Sequence, residues 1–251
     1  MKSLFFLFAT LVAVSDGAKV SEMKREIFKK DGKELPFRWV KTPGEGAPAM
    51  VLFLHGAGER GDNNEAQLKH GVADLLSWLA KEGKPAVVVA PQCARGVWWA
   101  DLKGDFRSPD GGRLAAKPST MMSLVFGTVD KIAKQEKVDS KRIYVTGLSM
   151  GGFGTFAAVA RRPEFFAAAI PICGGGDPTK VGQMRKTPFR VYHGGADRVI
   201  PVSASKVMVD ALKKAGGDVE MKVYEGVKHD SWSQTYRDPG VWKWLFEQKR
   251  K

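Results

Sequence analysis

Cysteine is scarce in this sequence, whose 251 residues include two, Cys93 and Cys173. Each follows the end of a predicted strand, and the order of elements puts those strands about three places apart in one sheet, or roughly 14 Å at the usual strand spacing. That separation exceeds the reach of a disulfide bond. We therefore predict two free, buried thiols, even for an exported chain in which disulfides are possible.

Long apolar runs are also missing. No stretch of 18 consecutive apolar residues occurs in the sequence, which excludes a transmembrane helix. Internal repeats and low-complexity blocks are absent too, and the 43% content of hydrophobic residues is ordinary for a globular chain. A length of 251 residues is enough for one domain with a well-buried core.

The N-terminus differs from the rest of the chain. Lys2 precedes an almost unbroken apolar stretch over residues 4–14, and residues 15–17 place small side chains where a signal peptidase reads them. We interpret residues 1–17 as a signal peptide and residues 18–251 as one catalytic domain, secreted or periplasmic. The alternative is a buried N-terminal helix. No cysteine follows the apolar stretch, so a stable membrane anchor is not predicted.

Acidic residues are outnumbered by basic ones, and the formal net charge is +13. A basic surface favours anionic polymers or membranes in general. Many of the lysines lie at predicted helix ends and turns, however, and no basic stripe interleaved with aromatic residues is present. We therefore predict no nucleic-acid partner, and the sequence leaves the oligomeric state open.

What the chain does contain is a regular alternation of strands and helices. Two early strands flank Asp31 and Gly32 and are predicted to form a hairpin. The later strands are continuously apolar, which is typical of a parallel sheet covered on both faces. This predicts a single α/β domain. The predicted strands are residues 25–30, 36–41, 50–54, 86–90, 142–146, 167–172, 189–192 and 220–224, and the predicted helices are residues 65–80, 120–134, 153–161, 204–215 and 241–248.

A serine between glycines marks the turn after one of these strands. The sequence Gly-Leu-Ser-Met-Gly-Gly over residues 147–152 joins an apolar strand to an alanine-rich helix. The Gly-x-Ser-x-Gly pattern at a strand-to-helix turn is typical of a nucleophile elbow, in which a strained turn exposes the serine hydroxyl. Ser149 is thus the candidate nucleophile, and the alternative is a helix N-cap serine.

A serine nucleophile needs a base and an acid that orients the base. Of the four histidines, His229 lies on a loop after the last strand, whereas His55 and His193 end strands before glycines and His70 falls within a predicted helix. Asp197 follows the preceding strand. The order Ser149, Asp197, His229 is the chain order of the α/β-hydrolase triad. Asp177 is the alternative acid, although Pro178 indicates that it belongs to a turn.

Two further groups complete the predicted site. Backbone N–H groups of Ala57, in a glycine-containing loop after a strand, and of Met150, after the nucleophile, are the candidate oxyanion donors. Glu59, Arg60 and Asp62 in the same loop are expected to pair with one another.

A long loop over residues 92–118 carries aromatic side chains. Its length is typical of a pocket wall or lid. Trp98 and Trp99 in this loop, with Trp232 near the candidate base, are candidate substrate-binding residues. The alternative is that both loop tryptophans simply pack the loop onto the domain.

Four segments in this order, LHGAGERGDNN, GLSMGG, HGGADRVIPV and KHDSW, resemble the α/β-hydrolase superfamily across essentially the whole mature chain. Within this superfamily, the sequence is similar to the branch of secreted esterases and predicted peptidases that includes the polyhydroxybutyrate depolymerase-like and feruloyl esterase-like enzymes. The resemblance implies an eight-stranded sheet, Ser149, Asp197 and His229 as the triad, and Ala57 and Met150 as oxyanion donors. No carbohydrate-binding or substrate-binding second domain is recognisable.

The sequence therefore predicts a secreted serine hydrolase that cleaves carboxylic esters through an acyl-enzyme intermediate. The ester is expected to be a small molecule or polymer-linked. No cofactor and no metal are predicted, because no cluster of ligands with suitable spacing is apparent. The alternative function is a serine peptidase of the prolyl-oligopeptidase type, and a binding protein built on a hydrolase fold is a third reading.

Overall fold

The structure is a computed structural model that describes residues 18–105 and 111–251. The predicted signal peptide, residues 1–17, lies outside the described residues, as do residues 106–110 of the long loop. The signal peptide and the domain boundary after it therefore stay predictions. Among the described residues, no helix is both long and apolar enough to cross a membrane.

The centre of the fold is an eight-stranded sheet with the order β1-β2-β4-β3-β7-β8-β9-β10. The hairpin β1–β2 is antiparallel and β2 pairs antiparallel with β4, whereas the remaining pairs are parallel. A separate two-stranded hairpin, β5–β6, lies within the long loop. The strands are β1 (Lys24–Lys30), β2 (Lys33–Lys41), β3 (Ala49–Leu54), β4 (Ala86–Pro91), β5 (Leu102–Lys103), β6 (Arg113–Leu114), β7 (Ile143–Leu148), β8 (Ala168–Ile172), β9 (Phe189–Gly194) and β10 (Val219–Tyr224).

Helices cover both faces of the sheet. Side chains alternate along each strand, so Leu52 and Leu54 pack on one side of β3, with α2, α3 and α5, while Val51 and Phe53 pack on the other, with α1 and α7. These two apolar cores confirm the predicted α/β architecture. The helices are α1 (Val72–Glu82), α2 (Thr120–Gln135), α3 (Met150–Arg161), α4 (Val181–Met184), α5 (Ser203–Lys214), α6 (Trp232–Arg237) and α7 (Pro239–Glu247).

The main difference from the predicted elements lies before α1. The sequence predicts one helix over residues 65–80, whereas the structure has a 3-10 turn at Ala66–Leu68 and a helix that begins at Val72. Gly71 separates them because its φ is +75°, a left-handed value that α-helices do not use, and a Cβ there would lie 2.3 Å from Tyr236. The close approach to Tyr236 is what the apolar periodicity of this segment does not reveal.

The two cysteines are free and buried, as predicted. Cys93 follows β4 and Cys173 follows β8. Since β3 and β7 lie between those strands, the predicted separation of three places is confirmed. No disulfide contributes to the stability of the described residues.

Candidate active site

Ser149 lies at the sharp turn between β7 and α3, in the middle of the sheet. Its backbone has φ 51° and ψ −116°, a sparsely populated conformation that costs a non-glycine residue of order 1–3 kcal/mol. Gly151 permits the turn, because a Cβ on that residue would lie 1.9 Å from the carbonyl oxygen of Leu54. The N–H of Ser149 donates to Ile172 O at 2.9 Å, which fixes the turn to β8.

The structure brings the three predicted catalytic side chains into one hydrogen-bonded row. The Oγ of Ser149 lies 3.0 Å from Nε2 of His229, and Nδ1 of His229 lies 2.7 Å from Oδ2 of Asp197. Because a carboxylate only accepts hydrogen bonds, Nδ1 carries the proton, and Nε2 of the neutral ring is left to accept from the serine hydroxyl. The side chain of His229 is 21% exposed, whereas that of Asp197 is fully buried.

Asp197 is held by its own loop as well as by His229. The N–H groups of Val199 and Ile200 donate to its Oδ1 at 2.8 and 3.0 Å. These two bonds leave Oδ2 directed at the imidazole ring. The carboxylate is therefore oriented before any substrate binds.

Asp177, the alternative acid, lies elsewhere and has other partners. Its Oδ1 accepts from the N–H of Thr179 at 3.0 Å, which caps the 3-10 turn of Pro178–Lys180. Its Oδ2 accepts from the N–H of Leu114 at 2.9 Å. Asp177 thus belongs to a turn, as Pro178 predicts, and its Oδ2 joins that turn to the long loop.

The two candidate oxyanion donors occupy equivalent positions on different elements. Ala57 is the first residue of the 3-10 turn Ala57–Glu59, and Met150 is the first residue of α3. The N–H of a first helical residue has no acceptor within its own helix. Their positions therefore suit both groups to bind a ligand, and the dipole of α3 adds to the donor strength of the Met150 N–H.

His55, which directly follows β3, holds the peptide that carries the Ala57 donor. Its Nδ1 lies 2.6 Å from Gly56 O, and its Nε2 accepts from the N–H of Cys93 at 2.9 Å. In a trans peptide the C=O and the N–H point in opposite directions. The bond to Gly56 O therefore directs the Ala57 N–H away from His55.

The hydrogen bonds of His55 also fix its charge. An Nε2 that accepts from a backbone N–H carries no proton, so the ring is neutral. Burial of the side chain lowers its pKa from 6.5 to about 4, although the bond to Gly56 O acts in the opposite direction. This histidine stays uncharged at neutral pH.

The three tryptophans proposed as substrate-binding residues have different surroundings. Trp99 is fully buried, and its Nε1 donates to His55 O at 3.0 Å. A side chain without exposed surface cannot contact a substrate, so the pocket-wall role predicted for Trp99 is corrected: it fastens the loop. Trp98 is 42% exposed and borders a cavity of about 530 Å³ that Met121 and Phe153 also line.

Trp232, the third of these residues, begins α6 and packs against the candidate base. Its ring meets the ring of His229 edge-on, with centroids 5.2 Å apart, and contacts His70 at 5.6 Å. His70 in turn lies 3.5 Å from Glu59. This packing supports the orientation of His229, and the short helix that provides it has no signal in the sequence periodicity.

The loop after β3 is held differently from the prediction. Glu59 faces His70, and Arg60 donates from Nε to Ala57 O at 2.9 Å. The predicted pairing of Glu59, Arg60 and Asp62 with one another is therefore not how this loop is fixed. Arg60 adds a second support to the peptide segment that carries the Ala57 donor.

Cys173 lies beside the same site, which the spacing of the sequence does not reveal. Its Sγ and one ligand atom each of Asp197 and His229 lie within 4.8 Å of one another. Metal ligation by cysteine requires the thiolate, and burial raises the pKa of the Cys173 thiol well above its ordinary value. The neutral thiol makes this grouping a poor fit for a cation.

An eight-stranded, mainly parallel sheet with a serine elbow after its central strand defines the class of the α/β hydrolases. Residues 36–238 match the family model described as phospholipase/carboxylesterase. The chain belongs to this family and is a hydrolase of carboxylic esters. The resemblance to the α/β-hydrolase superfamily that the sequence motifs indicate is thereby confirmed.

Individual relatives agree with the family. The chain is 28% identical over 198 residues to the carboxylesterase SOBER1 of Arabidopsis thaliana, covering 73% of this chain and 84% of that protein. It is 39% identical over 207 residues to poly(3-hydroxyalkanoate) depolymerase C of Paucimonas lemoignei, covering 78% of this chain but 44% of the relative.

A solved structure adds the same conclusion for the fold. A thermostable esterase superposes with a TM-score of 0.83 at 37% sequence identity, over 92% of this chain and 64% of that one. The chain thus spans less than two thirds of the length of this neighbour. This esterase therefore shares the fold of most of the chain.

Proposed function

We propose that this protein is a secreted serine carboxylesterase in which Ser149 is the nucleophile, His229 the general base and Asp197 the acid that orients the base. The observation that carries the proposal is the row of two hydrogen bonds, 3.0 Å from Ser149 to His229 and 2.7 Å from His229 to Asp197. The strained backbone of Ser149 supports it, because such strain clusters at functional sites.

The reaction begins with attack of Ser149 Oγ on the ester carbonyl carbon. His229 Nε2 accepts the hydroxyl proton as the Oγ–C bond forms, and then gives a proton to the alkoxide as the C–O bond of the leaving alcohol breaks. Water then attacks the acyl carbon as His229 takes a proton from it, and this proton passes to Ser149 Oγ as the acyl C–Oγ bond breaks and the carboxylic acid leaves. Asp197 holds His229 in the tautomer that this sequence requires and offsets the positive charge of its imidazolium form.

We assign stabilisation of the negatively charged oxygen that develops in each step to the N–H groups of Ala57 and Met150. Both are first residues of helical segments, and the neutral His55 together with Arg60 holds the Ala57 peptide in one orientation. Loss of one such donor reduces kcat by about 10²–10³-fold in other serine hydrolases.

The substrate side of the proposal rests on Trp98. We assign the cavity of about 530 Å³ beside Trp98 to one portion of the ester, either acyl or alcohol. Its lining includes Met121 and Phe153, and Phe153 lies one helical turn after Ser149, to which its N–H is bonded at 3.1 Å. An apolar wall of this kind favours an aryl or alkyl group.

Export remains part of the proposal because of the sequence of residues 1–17 alone. The basic Lys2, the apolar stretch and the small residues after it are the elements of a secretory signal. Determination of the N-terminal residue of the mature protein tests it, and a terminus at or near Ala18 is the expected result. A mature chain that still begins at Met1 would contradict the proposed export.

The test of the catalytic assignment is Ser149→Ala. The variant should retain the fold and lose roughly 10⁶-fold in kcat on an aryl acetate, as when a triad serine is removed. A serine-directed organophosphonate should add once to the wild type, at Ser149, and not to the variant. Ser203→Ala, at an exposed position, is the control with unchanged turnover. Near wild-type turnover by Ser149→Ala would show that the elbow is not the catalytic site.

The same assay separates the two enzyme classes. For an ester and an amide with the same acyl group, kcat/KM should be much higher for the ester. A preference for the amide would favour the alternative, a serine peptidase with the same residues.

A further inference from the structure

A second histidine lies against the carboxylate of the proposed acid. His193, in β9, is fully buried, and its Nε2 is 3.4 Å from Oδ2 of Asp197, the oxygen that also contacts His229. Asp197 therefore lies between two imidazole rings, one partly exposed and one without contact to solvent.

The polar partners of the two ring nitrogens are oxygens. Nε2 of His193 lies 2.9 Å from Ile200 O, and Nδ1 lies 2.7 Å from Oγ of Ser205. A carbonyl oxygen only accepts, so Nε2 must carry a proton. The protonation state of Nδ1 is then decided by Ser205.

Ser205 has one hydroxyl proton and two close neighbours. Its Oγ donates to Gly174 O at 2.6 Å, and a carbonyl cannot return a proton. The short contact of 2.7 Å between Ser205 Oγ and His193 Nδ1 is then a hydrogen bond only when Nδ1 donates. If the hydroxyl turned to Nδ1 instead, two oxygens would face each other at 2.6 Å without a proton between them in a buried site. All contacts are satisfied together only with a proton on each ring nitrogen.

The surroundings of Asp197 are compatible with the same protonation state. Its side chain has no exposed surface, and a buried carboxylate requires a positive partner or several hydrogen bonds. Two backbone N–H groups bind Oδ1. In the part of the chain that the structure describes, its ion-pair contacts are with His193 and His229. Asp197 thus accepts three hydrogen bonds, from Val199, Ile200 and His229, and a protonated His193 would add a positive charge beside it.

Opposing forces act on this proton. Burial is the largest influence and lowers the pKa of His193 below its ordinary value, although the bond to Ile200 O and the charge of Asp197 act in the opposite direction. The second proton is therefore inferred from the hydrogen-bond geometry. His229 adds repulsion only when it is itself charged, and the neighbouring Cys173 thiol stays neutral because burial raises its pKa. The Ser205 hydroxyl is one more acceptor that favours the protonated ring.

We propose that His193 carries a proton on both ring nitrogens in the resting enzyme and is a positioning residue that shares the Asp197 carboxylate with His229. Because its positive charge offsets part of the carboxylate charge, it makes protonation of His229 less favourable. His229 is then neutral, and able to act as a base, down to a lower pH. This role rests on the proposed function of Asp197 and His229.

The proton count is measured on the wild-type protein by nitrogen NMR of the histidine rings. The chain has four histidines. The signal that is absent from the spectrum of His193→Gln is assigned to His193. The expected result at pH 7 is two protonated ring nitrogens for His193 and one for His55. A His193 ring with one bare nitrogen at that pH would overturn the proposal. This measurement needs no catalysis, so it is independent of whether Ser149 is the nucleophile.

The kinetic effect is measured on Ser205→Ala, with Ser203→Ala in the same helix as the control. Loss of the buried acceptor should remove the Nδ1 proton, so the acid limb of kcat/KM should move to higher pH by about one unit. Ser203→Ala should leave the limb in place. A structural role alone would lower Tm or kcat at all pH values without moving the limb, and that outcome would overturn the proposed influence on His229. If Ser205→Ala does not fold, the ring-nitrogen measurement alone decides the proposal.

Discussion

The ends of β3 and β9 carry the same dipeptide, histidine followed by glycine, on opposite sides of Ser149. Both histidines are buried, His55 with 2% and His193 with 0% of its surface exposed. His55 receives a hydrogen bond from the N–H of Cys93 and is therefore neutral. His193 faces oxygen atoms at both nitrogens. The neutral His55 thus supports the oxyanion side of the site, where the Ala57 donor lies. His193, which we propose to be charged, supports the acid side, where Asp197 lies.

Burial lowers the pKa of both histidines, so any difference between their protonation states must come from the partner atoms of each ring. A backbone N–H as partner excludes a second proton, whereas a carbonyl, a hydroxyl that is already donating and a carboxylate all favour one. Neither pattern is visible in the two His-Gly pairs themselves. The predictions below disturb one side at a time.

The largest effect is expected on the acid side, from Asp197→Asn. The amide still fills the space but no longer fixes the tautomer of His229, and in a well-characterised serine protease the equivalent change reduces kcat about 10⁴-fold. The measurement is kcat for an aryl acetate across pH. In the same variant, His193 should lose its second proton because the balancing charge is gone.

Asp177→Asn is the matched control for this change. Asp177 accepts hydrogen bonds from Thr179 and Leu114, so the substitution should lower the free energy of unfolding by about 1 kcal/mol and leave kcat within a few-fold of the wild type. A larger kinetic loss for Asp177→Asn than for Asp197→Asn would move the acid to the end of β8.

A smaller effect, on stability, is expected on the oxyanion side as the pH falls. The pKa of His55 is about 4 in the folded protein, against 6.5 for an ordinary histidine. The folded state therefore binds fewer protons than the unfolded state between these values. Stability that is fully present above pH 6.5 should be lost as the pH falls toward 4, by about 3 kcal/mol in total. Urea unfolding at several pH values measures it.

His55→Gln isolates this contribution, because glutamine does not titrate. The stability difference between wild type and variant should shrink by about 3 kcal/mol from pH 7 to pH 4. A difference that stays constant over this range would mean that His55 takes up its proton in the folded state as readily as in the unfolded state.

The smallest effect is expected at the loop that His55 anchors. Trp98→Ala should raise KM for an ester with an aromatic acyl group more than for the acetyl ester of the same alcohol. The expected difference between the two esters is equivalent to ~1 kcal/mol or more. The effect is expected because the exposed Trp98 ring is the proposed cavity wall. The ratio of kcat/KM values for the two esters measures it.

Trp99→Phe serves as the neighbouring control. This substitution removes the bond from Trp99 to His55 O, so it should lower Tm and affect both esters alike. Equal losses on both esters for Trp98→Ala as well would remove Trp98 from the proposed pocket.

Most of the fold follows from the sequence because its strands are continuous apolar runs with helices between them. The hairpin around Asp31 and Gly32 and the strand at residues 50–54 differ from the structure mainly at their ends. Short elements were missed. The hairpin β5–β6 and helix α6 (Trp232–Arg237) are too short for periodicity to appear, and the helix predicted at residues 65–80 is divided by a contact between Gly71 and Tyr236.

The site was predictable to the extent that its residues follow strands. Parallel strands deliver their carboxyl ends to one edge of the sheet, so Ser149, Asp197 and a histidine after β10 were expected to meet there. Supporting contacts were not predictable in this way. Ser205 reaches His193 from a helix, and the adjacent Trp98 and Trp99 differ only in which side of the loop each faces.

The strained backbone of Ser149 has a consequence for the evolution of this chain. A glycine adopts such angles readily, so Ser149→Gly would abolish the proposed nucleophile while relieving a conformational cost of order 1–3 kcal/mol. Where selection for ester cleavage is relaxed, mutational drift at this position therefore has a favourable direction, toward an inert and sturdier protein. If Ser149 is the nucleophile, as we propose, serine is expected at this position only where selection on ester cleavage outweighs its conformational cost.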